Sequence, residues 1–126
     1  MAFVALVTLL ALGFYTFLGL NTAMLRGKAG IKAPAITGDE RFERAFRIHQ
    51  NTVEQLIFFL PSMWLAGAFA SWTWAGIGGL VWIAGRVLYA IAYKNDPARR
   101  GPGFVIAFGA AAILWMIGLV GAVISL

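Results

Sequence analysis

Cysteine is absent from the 126-residue chain. Its absence excludes a disulfide framework, a thiolate nucleophile of the protein's own and any thiolate metal site. Histidine occurs once, at position 49, which is too few for a histidine metal pattern. Charge is scarce: 12% of residues are Asp, Glu, Lys or Arg, against roughly 25% in soluble domains. All fifteen charges fall between Arg26 and Arg100, and residues 1–25, 55–85 and 101–126 carry none. No soluble domain fits into such a distribution.

What is present is apolar, with 61% hydrophobic residues and a mean hydropathy of +0.83. A membrane-spanning helix needs about 20 mostly apolar residues, and four segments qualify, at about 2–25, 41–69, 75–94 and 103–124. The expected fold is therefore an all-α integral membrane protein, one four-helix bundle occupying residues 1–126. The first segment lacks a basic start and a small-residue cleavage pattern before Arg26, so it reads as a span rather than a secretory signal. The net charge of +5 does not point to nucleic acid, because the basic residues sit at span ends rather than on a soluble face. Arg26, Lys28 and Lys32 follow the first span and Lys94, Arg99 and Arg100 the third. By the positive-inside rule both loops face the cytoplasm and both termini lie outside, an orientation that suits a bacterial inner membrane.

The polar residues are not scattered. At about 100° per residue, Glu40, Arg44, Arg47, Asn51, Glu54 and Gln55 fall within about 60° of one line along the second helix. Counted back from Ala70 at about 1.5 Å per residue, Glu54 lies roughly 24 Å into a hydrocarbon core about 30 Å thick. On the third helix Trp82, Arg86, Tyr89 and Tyr93 share a face, with Arg86 about 16 Å from Ala75. A charge at that depth costs about 2.5–3.5 kcal/mol and must face protein or water. Depth makes Glu54 the expected partner of Arg86. Pairing between residues three and four apart accounts for Glu40, Glu43 and Arg44 at the wet helix end, but not for Asn51, Glu54 and Arg86, which point to function. His49 lies opposite the stripe, a packing or interface position. The glycines of "AGIGGL" and "GLVGA" suit close helix packing, not phosphate cradling.

Arginines clamp carboxylates, a carboxylate takes an ammonium, and apolar helix walls accept a lipophilic molecule. Such a site holds a small, acidic zwitterion, and it is catalytic if that ligand brings a thiol, because a neighbouring arginine favours the thiolate.

The run "FERAFRIHQNTVEQ", followed by "GRVLYAIAY" and "DPARRG", resembles the MAPEG superfamily of membrane-associated proteins in eicosanoid and glutathione metabolism, above all its microsomal glutathione transferase branch and bacterial relatives. That resemblance extends over nearly the whole chain and implies a homotrimer with glutathione bound between subunits near the cytoplasmic surface. By matching position, it implies that Arg47, Asn51 and Glu54 on the second helix and Tyr89 and Tyr93 on the third bind glutathione. Arg100, or Arg99 one place before it, stabilises the thiolate, and Arg26 and His49 belong to a neighbour's site. Gln55 departs from the tyrosine of the leukotriene C4 synthase branch, so eicosanoid synthesis is not implied. The implied activity is a glutathione transferase or peroxidase acting on lipophilic electrophiles, with glutathione as co-substrate. Two competing readings are a non-catalytic lipid-binding or scaffold protein of the same fold and a small transporter, which would use Glu54 and Arg86 as a relay.

Overall fold

The computed structural model describes all 126 residues and contains four long helices and no strand. Helix α1 spans Ala2–Ala29, α2 Glu40–Phe69, α3 Trp72–Asn95 and α4 Gly101–Ile124, and a short 3-10 turn, Pro97–Arg100, precedes α4. Each of α1, α2 and α3, and α4 together with its 3-10 turn, is long and apolar enough to cross a membrane. The protein is an integral membrane helix bundle.

Local chemistry sets where the helices begin and end. α1 outlasts its apolar run by a turn, because Arg26 and Lys28 complement the negative end of the helix dipole and Gly30 closes it at φ 67°, a left-handed conformation natural to glycine. α2 starts at Asp39, whose carboxylate accepts the Phe42 N–H at 3.0 Å, while Glu40 and Glu43 supply negative charge to its first turn. Ser71 caps α3. Asp96 separates α3 from the 3-10 turn, and its side chain accepts the Ala98 N–H at 3.0 Å. Pro61 sits within α2 and leaves the Ile57 carbonyl without its usual donor, yet the helix continues to Phe69.

α2 and α3 form the centre, packing on each other and on both outer helices. The main core joins Val4 and Val7 of α1, Phe59 and Met63 of α2, Trp82 of α3 and Leu114 of α4, with the Phe59 and Trp82 rings stacked at 4.1 Å. Lipid is as apolar as leucine, so close contact rather than the hydrophobic effect holds such helices together. Gly103 shows how close: a Cβ there would lie 2.4 Å from the Tyr89 backbone nitrogen, and one on Gly85 would lie 2.6 Å from that of Ala107. α3 and α4 therefore touch backbone to backbone. Only 28 residues are buried within the chain, and the outward faces of α1 and α4 carry leucine, isoleucine, valine and phenylalanine, as a surface solvated by lipid tails requires.

Candidate functional site

The polar stripe of α2 separates into three parts. Its first part is structural: Arg44 forms an ion pair with Glu40 and donates from Nη1 to the carbonyls of Lys94 and Asn95, at 2.9 and 3.0 Å. Those carbonyls close α3, so Arg44 ties the start of α2 to the end of α3.

The second part faces α3. The Arg86 guanidinium is fully buried; its Nη1 donates to Asn51 Oδ1 at 2.9 Å and its Nη2 to Thr52 Oγ1 at 2.7 Å, while Nε has no partner. Thr52 in turn donates to the Ile48 carbonyl at 2.7 Å. The guanidinium also lies over the Tyr89 ring, 4.1 Å from its centroid. One turn deeper, Trp82 donates its indole N–H to Gln55 at 3.3 Å. A guanidinium can only donate, so Asn51 must present its oxygen to Arg86, which leaves its NH₂ group for another partner.

The third part faces outward. Arg47 and Glu54 are exposed on the surface of the single chain and neither takes part in an ion pair. The expected Arg86–Glu54 pair is therefore not formed. Angle explains it: Asn51 and Thr52 meet Arg86, and at about 100° per residue Glu54 lies about 110° around the helix from their midpoint. Being submerged in the membrane did not mean facing the same neighbour.

The remaining predicted residues fall into two groups. Tyr89 is buried and Tyr93 half-buried on the same face of α3, their rings 5.6 Å apart. Tyr93, Arg47 and Pro97 line a depression of about 310 Å³, together with Glu40 and Thr37. Arg100 reaches toward the same place: its guanidinium is 6.0 Å from the Tyr93 ring centroid and donates to the Pro97 carbonyl at 2.9 Å. Arg99 differs, being 81% exposed and 3.7 Å from Asp96.

Arg26 and His49 stand elsewhere. Arg26 lies 4.6 Å over the Phe42 ring and donates to the Ala35 carbonyl at 2.6 Å. His49 stacks on Tyr15 of α1 at 4.6 Å, beside Gly19. Both occupy the α1 side of α2, so a single chain does not bring them to the stripe.

Sequence reasoning missed Thr52, the anchoring role of Arg44 and the Trp82–Gln55 bond. Thr52 carried a usable signal, since a hydroxyl next to Asn51 on the α3-facing side is an obvious acceptor for Arg86.

The arrangement is a surface lined by cations, a free carboxylate, an amide donor and a tyrosine, at one end of the bundle, and it suits a small, multiply charged ligand. Comparison with known proteins gives it a context. The MAPEG family model matches residues 4–120. The chain is 43% identical to an uncharacterized protein of Synechocystis sp. across 97% of its own length and 86% of that protein's. It is 35% identical to human microsomal glutathione S-transferase 2, covering 93% of this chain and 80% of the relative. Bovine leukotriene C4 synthase is 29% identical, covering 92% and 75%.

Proposed function

The chain belongs to the MAPEG family, and from that premise we propose that it is a membrane glutathione transferase or peroxidase acting on lipophilic electrophiles dissolved in the bilayer. The observation that carries the reading is the pair of exposed, unpaired charges Arg47 and Glu54 on one face of a membrane-embedded helix, where Arg47 shares a depression with Tyr93 and Arg100 reaches toward the Tyr93 ring. Unpaired charges on a spanning helix need protein, water or a ligand to face.

Glutathione carries two carboxylates, one ammonium and one thiol, and each has a complement here. Arg47 binds a carboxylate, Glu54 the ammonium, and the free NH₂ of Asn51 a carbonyl or carboxylate oxygen. Tyr93, with Tyr89 behind it, supplies a phenol to the wall. Arg100 stabilises the thiolate, so that the thiol proton leaves to solvent and sulfur attacks the electrophile. Arg100 suits this role better than Arg99, because Asp96 already holds Arg99 near solvent. Arg26 and His49 complete the site from a neighbouring protomer of a homotrimer, which would also cover the outward face of α2. The basic loops lie on the cytoplasmic side, where glutathione is available. Leukotriene C4 synthesis is not part of the proposal, because Gln55 departs from the tyrosine of that branch.

Separate Arg100→Ala and Arg99→Ala variants test the assignment through the ultraviolet absorbance of the bound thiolate. The thiolate signal is expected to disappear in the Arg100 variant and persist in the Arg99 variant. The opposite pattern, or no change in either, would overturn the role given to Arg100.

A further inference from the structure

On the other side of α2 from Glu54, a groove of about 600 Å³ opens between α1, α2 and α3. Its walls are apolar, with Phe17 and Met24 from α1, Ile48 from α2 and Val87 and Ile91 from α3. Its rim is basic. Arg41 on the first turn of α2 and Lys94 on the last turn of α3 both line it, neither is in an ion pair, and no carboxylate lines the groove. Arg44 also borders it, but its guanidinium is engaged by Glu40 and the α3 carbonyls.

Polarity is thus graded along the membrane normal. The cations sit where the basic loops meet the bilayer, and Phe17 lies about 13 Å deeper, nine residues before Arg26 on α1. A molecule that matches this gradient has a compact anionic head at the membrane surface and a hydrocarbon chain parallel to the helices.

We propose that this groove is a binding site for one anionic phospholipid, with its phosphate between Arg41 and Lys94 and an acyl chain against Phe17, Val87 and Ile91. The proposal is independent of the glutathione reading, since it uses none of the residues assigned there. It makes the protein sensitive to the charge of the leaflet that carries its basic loops. Each cation near such a surface adds about 1 kcal/mol of attraction, so the pair corresponds to roughly a thirtyfold preference for an anionic over a zwitterionic lipid.

Native mass spectrometry of the full chain in neutral detergent, with phosphatidylglycerol and phosphatidylcholine added in equal amount, tests it. One phosphatidylglycerol per chain is expected to be retained preferentially. Retention is expected to fall roughly thirtyfold in an Arg41→Ala/Lys94→Ala variant and to be lost in Ala90→Trp, which fills the groove while keeping its cations. Helical circular dichroism checks that both variants are folded. Equal retention of the two lipids would overturn the proposal, as would undiminished binding to the double alanine variant. Undiminished binding to Ala90→Trp would show surface charge at work without the groove and would equally overturn it. A Phe17→Cys variant, the sole cysteine in the chain, adds an arm: disulfide-linked pairs in lipid would mean that a second copy fills the groove, against the proposal.

Discussion

Replacing Asn51 by leucine should harm the bundle more than replacing Arg86 itself by methionine. Asn51→Leu removes the acceptor for Nη1 of a fully buried guanidinium whose Nε is already unpartnered, leaving Thr52 as its sole hydrogen-bond partner. A hydrogen bond to a charged group contributes about 1.5–3 kcal/mol, and a stranded buried donor costs about as much again. A loss of about 3–6 kcal/mol follows. Arg86→Met surrenders two such bonds and a contact with the Tyr89 ring worth about 1 kcal/mol. Against that, it removes the cost of an ion at that depth, about 2.5–3.5 kcal/mol, and the penalty of the orphaned Nε. These contributions nearly cancel, and the net loss is about 1 kcal/mol. The double variant Asn51→Leu/Arg86→Met should therefore be more stable than Asn51→Leu alone, the sign expected when a buried charge is stranded. Reversible unfolding in mixed micelles, followed by tryptophan fluorescence, measures all three. If Arg86→Met proves the most damaging, or the double variant is the least stable, the account of a charge held by neutral acceptors is wrong.

Other substitutions probe separate parts of the bundle. Gly103→Ala places a Cβ against the Tyr89 backbone and should destabilise by about 1–3 kcal/mol, visible as a lower unfolding midpoint, whereas Gly109→Ala, with open space around it, should not. Trp82→Phe keeps a ring over Phe59 but loses the bond to Gln55 and opens a cavity in the core, and should cost about 2–3 kcal/mol in the same assay. Glu54→Gln should leave the unfolding midpoint in place, because Glu54 has no ion-pair partner in the chain, yet weaken glutathione binding about tenfold or more in calorimetry.

The sequence made the spans easy to read, since charge-free runs of the required length have few alternatives. The shared face of Trp82, Arg86, Tyr89 and Tyr93 also followed from helical spacing, whereas the outward direction of Glu54 did not. Nor did partner identity. Arg86 announced that it needed company, but spacing along one helix gives no rotation against the next, and the structure met the charge with Asn51 and Thr52 rather than Glu54. Arg44 looked like a member of the polar stripe because its use as a clamp on the α3 terminus depends on residues fifty positions away. His49 was legible as a residue opposite the stripe, whereas its stacking on Tyr15 required knowing that α1 packs there. Arg99 and Arg100 were indistinguishable as neighbours in sequence; the 3-10 turn that separates them turns one toward Asp96 and the other toward Tyr93.

The role proposed for the outward polar face of α2 is to capture glutathione and favour its thiolate. The most direct test is to titrate the purified wild-type protein in detergent with glutathione while recording heat and thiolate absorbance together. Saturable heat accompanied by thiolate absorbance is expected at a pH where free glutathione is still mostly protonated. Heat and absorbance indistinguishable from those of glutathione added to protein-free detergent would contradict that role.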